Sequence, residues 1–375
     1  MSLSERERTR YARHLALAEI GPAGQERLRA ARVLVVGAGG LGSPAALYLA
    51  AAGCGTLGLL DSDRVELSNL QRQVLFDAEV LEQSKAEAGA ARLAALNGEI
   101  RVRSHALELD AGNARALVAE YDVVLDGSDR LGTRYLVNDA CVLERRALVT
   151  AAVHRFEGQL LTYVPDRGPC YRCLFPQARD GLVANCATAG VLGVLPGVLG
   201  TLQATEALKL IAGVGEALTG RLLTYDALGM RFAEFRVPRR RDCAVCGDHP
   251  SITDLKDSLT VNAPTAADGV RHLAPTDLEE LLRAGGTPPL LVDVREPYEY
   301  EAGHLPGSLH IPLAQLPQRL PELAGKAAPV FICRSGGRSL AACRMALAAR
   351  IASPGNLEGG LTAWAQQIDP SLRVA

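Results

Sequence analysis

The sequence predicts an α/β protein built from two units. Three patterns carry that expectation. From Arg32 to about Asp248, short apolar runs alternate with helix-period segments, as strand–helix repeats over a parallel sheet do. His249 to Val270 mixes Pro, Ser, Thr, Asp and Ala without periodicity and reads as a linker. A second strand–helix alternation follows from Arg271 to the end. A chain of 375 residues is long enough for two or three cores. The domains are therefore placed at 1–248 and 271–375, joined by 249–270.

Element by element, residues 4–30 form a polar, Arg-rich helical segment. Val33–Val36, Thr56–Leu60 and Asp122–Leu125 are expected as strands, and Ser43–Ala52 and Lys85–Leu96 as helices. In the second unit, strands are expected at Leu290–Val294 and Pro329–Ile332 and a helix at Leu340–Arg350. Pro306-Gly307 and Gly359-Gly360 mark turns.

The bulk numbers exclude several function classes. Hydrophobic residues at 48% and charged residues at 22% give the balance of a soluble globular protein. A net charge of −2 offers no global attraction to nucleic acid or anionic lipid. Aromatics at 4% also argue against base-stacking surfaces. Gly181 to Thr205 carries no charge, but Asn185, Thr188, Pro196 and Gln203 interrupt it. It is expected as a mobile loop leading into a buried or subunit-facing helix, not as a membrane span. Met1 to Arg13 is charged and has no apolar signal region, so a cytoplasmic location is expected. Of nine cysteines, four sit in two C-x-x-C pairs and one opens a Gly-rich loop, which points to metal ligation and thiol chemistry.

The first site is a nucleotide site. Val33–Val36 runs into Gly37-Ala38-Gly39-Gly40-Leu41-Gly42, and a helix follows. Glycines at 37, 39 and 42 fit G-x-G-x-x-G, which lets backbone approach phosphate at a helix N-terminus. Asp61 ends the next strand about twenty residues on, where an acid accepts ribose hydroxyls. Alone, this Rossmann-like fingerprint favours NAD or FAD, and Gly-rich strand–helix turns also occur with no ligand. Arg72 and Lys85 supply cations suited to a triphosphate, and Asp129, just past the third strand, suits Mg²⁺.

The string Ser68-Asn69-Leu70-Gln71-Arg72-Gln73, with Arg10-Tyr11-Ala12-Arg13-His14 and Pro169-Cys170-Tyr171-Arg172-Cys173-Leu174, resembles the MoeB/ThiF family of ubiquitin-activating-type enzymes. The resemblance runs through Cys246. It implies adenylation of the C-terminal glycine of a ubiquitin-like carrier, with release of pyrophosphate. It also implies that Gly40 and Asp61 contact the nucleotide, that Asn69, Arg72 and Lys85 address ribose and phosphates, and that Asp129 serves Mg²⁺. Arg13 would reach the triphosphate of the neighbouring subunit, so a homodimer is implied. The chain departs from the family at Asp129-Arg130, where Asp-Asn is usual, while Arg134 keeps its spacing.

Cys170-x-x-Cys173 and Cys243-x-x-Cys246 each grip one edge of a tetrahedron, and four thiolates complete a closed structural Zn²⁺ site. Phe331-Ile332 leads into Cys333-Arg334-Ser335-Gly336-Gly337-Arg338-Ser339 and a helix. A cysteine there sits among backbone N–H groups that stabilise a thiolate or persulfide, and Arg338 adds positive charge. Asp293 to Tyr300, Gly303 to Ser308 and Leu357 to Trp364 are similar to the rhodanese family. That resemblance implies a sulfurtransferase whose persulfide forms on Cys333. Only four residues separate Cys333 from Arg338, a loop that suits a sulfane sulfur better than the wider phosphatase loop.

Cys186 corresponds to a family position facing the activated carboxylate. Three readings stay open for it: a thioester, resolution of an acyl disulfide with Cys333, or no chemical role. Cys54, Cys141 and Cys343 lie in apolar patterns and are expected in the core. The expected function is ATP-dependent activation of a Gly-Gly-ended sulfur carrier followed by sulfur transfer from Cys333. A cysteine desulfurase or thiosulfate would supply the sulfur, and the carrier would serve molybdopterin, thiamine, cysteine or tRNA-thiolation chemistry. The alternatives are adenylation alone with an inactive rhodanese module, an NAD-dependent oxidoreductase with structural zinc, and a non-catalytic ubiquitin-like-binding scaffold.

Overall fold

The computed structural model describes residues 3–176, 190–255, 269–283, 288–323 and 328–374. The chain divides into two compact units, one around an eight-stranded sheet and one around a five-stranded sheet. In the first unit the strands are β1 (Arg32–Val36), β2 (Thr56–Leu60), β3 (Arg101–His105), β4 (Val123–Asp126), β5 (Ala147–His154), β6 (Glu157–Tyr163), β7 (Arg221–Asp226) and β8 (Arg231–Arg236). Their order is β3-β2-β1-β4-β5-β6-β7-β8. Strands β1 to β5 pair in parallel. Alternate residues of β1 enter opposite cores: Val33 and Val35 one, Leu34 and Val36 the other. Burial on both faces explains why this strand is continuously apolar.

The expected parallel sheet accounts for five of the eight strands that form. Strands β6, β7 and β8 pair antiparallel. The β5–β6 and β7–β8 links are short turns at 155–156 and 227–230, and a parallel crossover needs a far longer connection. β3 escapes sequence detection because Arg-Val-Arg-Ser-His is an edge strand with no buried residue. The helix Val194–Ala212 lies against β5 and β6, and buried Gln203 ties it to the carbonyls of Asp126 and Val149 at 2.8 and 3.0 Å. It is the helix expected beyond the uncharged segment, whose residues 181–189 lie outside those described. No described helix is long and apolar enough to cross a membrane. The tail after Cys246 stays with this unit as far as Leu255, since Ile252 and Leu255 are buried in its second core.

The second unit holds β9 (Arg271–Leu273), β10 (Leu290–Asp293), β11 (Leu309–His310), β12 (Pro329–Ile332) and β13 (Gly355–Leu357), all parallel, in the order β11-β10-β12-β13-β9. Phe331 enters one core and Val330 and Ile332 the other. The helix expected at Leu340–Arg350 is Gly337–Ala348. It begins earlier because Gly336, at φ +93, turns the chain directly from the strand end into it. Cys54, Cys141 and Cys343 are fully buried, as expected, and burial pushes the Cys54 thiol up to about 12.

One buried ion pair braces the first unit. Arg172 donates to both carboxylate oxygens of Asp139 at 2.7 and 2.6 Å, with 1% and 0% of their side chains exposed. The Arg172 guanidinium also lies 4.6 Å from the Tyr135 ring centre. The arginine between two cysteines is thus a strut to the helix Leu131–Leu143. Removing one partner of such a pair strands a buried charge, so Asp139→Ala is expected to cost about 3–5 kcal/mol. A urea midpoint equal to that of the unaltered chain would refute this.

Candidate active sites

The glycine-rich loop lies at the C-terminal end of β1, where the order turns from β2 on one side to β4 on the other. Ligands of open α/β sheets bind at such a switch point. Gly37 has φ +87, and a Cβ there would meet the Gly127 carbonyl carbon at 3.1 Å. At Gly42 a Cβ would lie 1.8 Å from the Gly37 carbonyl oxygen, so only glycine closes this turn. The helix Gly42–Ala52 begins there; its Ser43 N–H donates to the Gly39 carbonyl at 2.9 Å and Pro44 carries no N–H, so the loop itself supplies most of the free donors.

Asp61 at the end of β2 accepts hydrogen bonds from the Ala38 and Asp63 N–H groups, both at 2.8 Å. Burial pushes its pKa up, while the Lys85 charge and these hydrogen bonds pull against that rise. Lys85 opens the helix Lys85–Leu96 and is 5% exposed. Its Nζ lies 3.2 Å from Asp63, whose side chain is largely exposed. The amine is therefore held at the strand edge by a carboxylate that a phosphate can replace. Asn69 is buried on the 3₁₀ turn Leu67–Asn69 and donates to the Ser68 hydroxyl at 3.0 Å. Arg72 donates to the Ser68 carbonyl at 3.2 Å and is tied to no carboxylate among the described residues. Its side chain passes Gly40, where a Cβ would meet Arg72 Cγ at 3.4 Å and Pro196 at 3.1 Å. Beside Gly39, a Cβ would stand 3.8 Å from Gln73 Nε2.

The structure thus brings Gly37, Gly39, Gly40, Gly42, Asp61, Asn69, Arg72 and Lys85 to the C-terminal end of the parallel strands. Asp129 follows β4 at the same end and is exposed. It belongs to no carboxylate cluster among the described residues. One or two carboxylates plus substrate phosphates suffice for Mg²⁺, so a lone acid fits that ion. Arg130 is paired at 2.9 Å with Glu108. Arg134, by contrast, is buried, pairs with Asp126 at 3.0 Å and donates to the Ser128 and Ala151 carbonyls, which pins the start of the loop carrying Asp129.

Arg13 is not part of this assembly. It is exposed on the helix Ala12–Leu15 and has no hydrogen bond or ion pair among the described residues. The preceding Tyr11 is buried, and its hydroxyl accepts from Asn97 at 2.8 Å, which anchors that helix. Cys186 lies outside the described residues.

The two cysteine pairs do converge. The sulfurs of Cys170, Cys173, Cys243 and Cys246 all lie within 4.8 Å of one another. Cys170 and Cys243 are 3.6 Å apart, and Cys173 and Cys246 are 3.4 Å apart. A tetrahedron with metal–sulfur bonds of about 2.3 Å has edges of about 3.8 Å, so the set fits zinc. The Arg240 N–H donates to Cys173 Sγ at 3.3 Å, as a backbone donor does to a thiolate. Hydrogen bonds within the cluster push Cys243 down and Cys170 up.

In the second unit, Cys333 ends β12 and is 0% exposed. Its Sγ accepts the Gly336 N–H at 3.1 Å and lies 3.3 Å from the Ser339 hydroxyl. The loop is held from behind by the helix Gly360–Gln367, whose Leu361 and Thr362 N–H groups donate to the Cys333 and Arg334 carbonyls at 2.8 and 2.9 Å. Gly359 and Gly360, at φ +67 and +58, permit that approach. Arg338 is buried, but its charge does not stand open. Both terminal nitrogens donate to Glu299, at 2.6 and 2.7 Å. Sequence reasoning included Glu299 in a motif but gave it no role. It likewise missed the stack of Tyr300 between His304 and His310, at 3.8 and 4.3 Å between ring centres.

The ThiF family model matches residues 11–245, and the rhodanese-like domain model matches residues 274–367. The chain belongs to the ThiF family. It is 45% identical to "Adenylyltransferase and sulfurtransferase MOCS3" of Mus musculus, covering 98% of this chain and 87% of that protein. It is 41% identical to "Probable adenylyltransferase/sulfurtransferase MoeZ" of Mycobacterium tuberculosis, covering 99% and 96%. Among solved structures it is similar to E. coli MccB with ATP, with a TM-score of 0.58 and 25% identity over 65% of this chain and 75% of that one. ThiF-family likeness therefore spans the first unit, and the rhodanese-like match carries Cys333.

If the four sulfurs hold zinc, Cys173→Ser should lose the metal from the purified chain and lower its melting temperature. One tightly held zinc per chain, measured by metal analysis of that variant, would sink the assignment.

Proposed function

We propose that this chain adenylates the C-terminal glycine of a ubiquitin-like sulfur-carrier protein and then transfers sulfur to it from a Cys333 persulfide. The observation that carries the reading is Cys333. Its sulfur receives a backbone N–H on the strand–helix loop of a rhodanese-like domain, and the same chain has a ThiF domain with buried Lys85 beside its glycine-rich loop. The names of the MOCS3 and MoeZ relatives join the same two activities.

In the first step the carrier's carboxylate oxygen attacks the α-phosphorus of ATP, the α–β phosphoanhydride bond breaks, and pyrophosphate leaves. Backbone N–H groups at Gly39–Gly42 donate to phosphate oxygens at the start of the helix. Lys85 and Arg72 stabilise the charge that develops on the transferred group. Asp61 accepts from the ribose, Asn69 supports that contact, and Asp129 is the carboxylate for a Mg²⁺ that neutralises phosphate charge. Exposed Arg13, on an anchored helix, fits a homodimer in which the nucleotide also receives Arg13 of the partner subunit. Cys170, Cys173, Cys243 and Cys246 would hold a zinc ion, which would serve as a structural tie between 243–246 and 170–173.

In the second step the outer sulfur of the Cys333 persulfide attacks the acyl carbon and AMP leaves, giving an acyl disulfide. A thiol then attacks the Cys333 sulfur, the thiocarboxylate departs on the carrier, and an external thiol reduces the resulting disulfide. Cys186 is one candidate for that thiol. Having both activities on one chain raises their effective concentration for each other. Residues 1–248 are assigned to activation and 271–375 to sulfur supply. A cysteine desulfurase or thiosulfate loads Cys333. The hydride-transfer reading loses its support, because the relatives are adenylyltransferases and not oxidoreductases.

ATP–pyrophosphate exchange that depends on a Gly-Gly-ended carrier tests the first half. Lys85→Ala should lower that exchange at least about a hundredfold, as loss of an electrostatic contact to a transferring group does, and exchange at the unaltered rate would remove Lys85 from the site. For the second half, Cys333→Ala should abolish sulfur transfer from thiosulfate to cyanide while leaving the exchange reaction intact. Thiocyanate formation persisting in that variant would exclude Cys333 as the sulfur carrier.

A further inference from the structure

The turn that follows Leu67–Asn69 carries Arg72 and then Gln73. Leu75 and Phe76 anchor it, because both are buried in the core of the first unit. Gln73 is 4% exposed. Its backbone groups are paired: the N–H donates to the Asn69 carbonyl at 3.0 Å, and the carbonyl accepts from the Phe76 N–H at 3.1 Å. Its carboxamide is less well served. Oε1 is buried and has no hydrogen-bond partner among the described residues. Nε2 faces the glycine-rich loop, 3.8 Å from where a Gly39 Cβ would stand. Buried side-chain amides are nearly always paired, and an unpaired one costs stability. An amide left so beside a phosphate loop is matched to a partner that arrives with the ligand.

The order of residues along the loop assigns that partner. Asp61, at the ribose end, accepts the Ala38 N–H at 2.8 Å. Gly39 comes next, and the Gln73 amide lies against it. Gly40 follows, and the Arg72 side chain lies against that. The α-phosphate is bonded to the ribose, so it is the first phosphate beyond Asp61. Gly39 and Gln73 therefore frame the α-phosphate, and Gly40 and Arg72 frame the phosphates beyond it. The two side chains suit those places. A departing pyrophosphate gathers negative charge, which a guanidinium stabilises. An anionic carboxylate has to reach the α-phosphorus, and a neutral N–H donor holds a phosphoryl oxygen there without pairing with that carboxylate as a cation would.

We propose that Gln73 is a further catalytic residue of the adenylation step: its carboxamide donates to a non-bridging oxygen of the α-phosphoryl group and orients that group for attack by the carrier's carboxylate. The inference rests on the reading of the loop after β1 as the ATP site. The bonds are those of that step. A carboxylate oxygen bonds to the α-phosphorus, the α–β phosphoanhydride bond breaks, and pyrophosphate leaves with the electron pair. Gln73 keeps both amide protons throughout. The contact strengthens as negative charge builds on the phosphoryl oxygens, so its loss falls on turnover and not on ATP binding.

The test is ATP–pyrophosphate exchange by the full chain with a Gly-Gly-ended carrier. The kcat and the KM for ATP are measured separately across pH, and the melting temperature is recorded without ligand. Gln73→Met keeps the bulk and removes the donor. It should lower kcat about tenfold or more, the effect of one hydrogen bond to a charged oxygen, and leave the KM for ATP nearly unchanged. Its melting temperature should equal or exceed that of the unaltered chain, because an unpaired buried amide is lost. Gln73→Glu sets a carboxylate beside the phosphate and should be slower still at neutral pH. As pH falls its carboxyl gains a proton and becomes a donor, so its rate relative to the unaltered chain should recover. Gln73→Met should show no such recovery. An unchanged kcat in Gln73→Met overturns the proposal. A lowered kcat that comes with a lowered melting temperature, and with no acid recovery in Gln73→Glu, overturns it equally, since a structural role gives that pattern. If Gln73→Met does not fold, the pH profile of Gln73→Glu decides by itself. Absence of carrier-dependent exchange in the unaltered chain would instead overturn the underlying reading of the ATP site.

Discussion

Both candidate sites of this chain sit where a buried parallel strand ends and a helix begins. At that junction, backbone N–H groups at the start of a helix have no partners within it. There the backbone offers oriented donors to an anionic ligand. After β1 those donors meet Gly37–Gly42; after β12 they meet Cys333–Gly337. A phosphate and a sulfur anion have the same need, namely dipoles fixed before the ligand arrives. The rest of each unit can be understood as keeping those donors in place.

The two junctions are braced in different ways. In the first unit the brace is close packing of backbone on backbone. Gly42 fits under the Gly37 carbonyl, and Gly37 against Gly127, so the loops after β1 and β4 hold each other. Arg134 adds a charged strut through Asp126, to which Ser128 and Thr150 also donate at 2.6 and 2.7 Å. In the second unit the brace is a neighbouring helix end, whose N–H groups bind the carbonyls of the reactive loop itself. Buried pairs recur behind both loops: Arg134 with Asp126, Arg172 with Asp139, Arg295 with Asp293 at 2.8 Å, and Arg338 with Glu299. Such pairs add little net stability compared with apolar packing, but each holds one side chain in one orientation. In this protein they stand where orientation matters, behind loops that present donors.

The cysteines divide by surroundings and not by sequence context. Cys54 and Cys343 are enclosed by apolar side chains; burial pushes the Cys54 thiol up, and the Cys343 thiol donates to the Gly355 carbonyl at 3.1 Å. Cys170, Cys173, Cys243 and Cys246 face one another, an arrangement that makes sense with a shared cation. Cys333 is as buried as the core thiols, yet it faces a backbone N–H and a hydroxyl. Burial alone therefore does not tell a reactive cysteine from an inert one, and the identity of the nearest donors does.

Local chemistry was legible in the sequence wherever a residue type is demanded by its immediate neighbours. Gly37 and Gly42, the Lys85 helix start, the C-x-x-C spacing and the strand leading to Cys333 all follow from backbone geometry over a few residues. The β1, β2 and β12 strands were readable because burial on both faces makes them continuously apolar. What the sequence left undecided depended on partners distant along the chain. In the antiparallel part of the first sheet, β5–β6 and β7–β8 rest on short hairpin links, while β6–β7 spans a long connection, and the apolar pattern of these strands does not state direction. The convergence of 170–173 with 243–246 was inferable from spacing, but the Arg172–Asp139 strut that steadies it was not. Arg338 illustrates the limit best. In the sequence it is a positive charge five residues after a reactive cysteine; only the tertiary structure supplies Glu299, because a charge's effect is set by whatever carboxylate the fold brings to it.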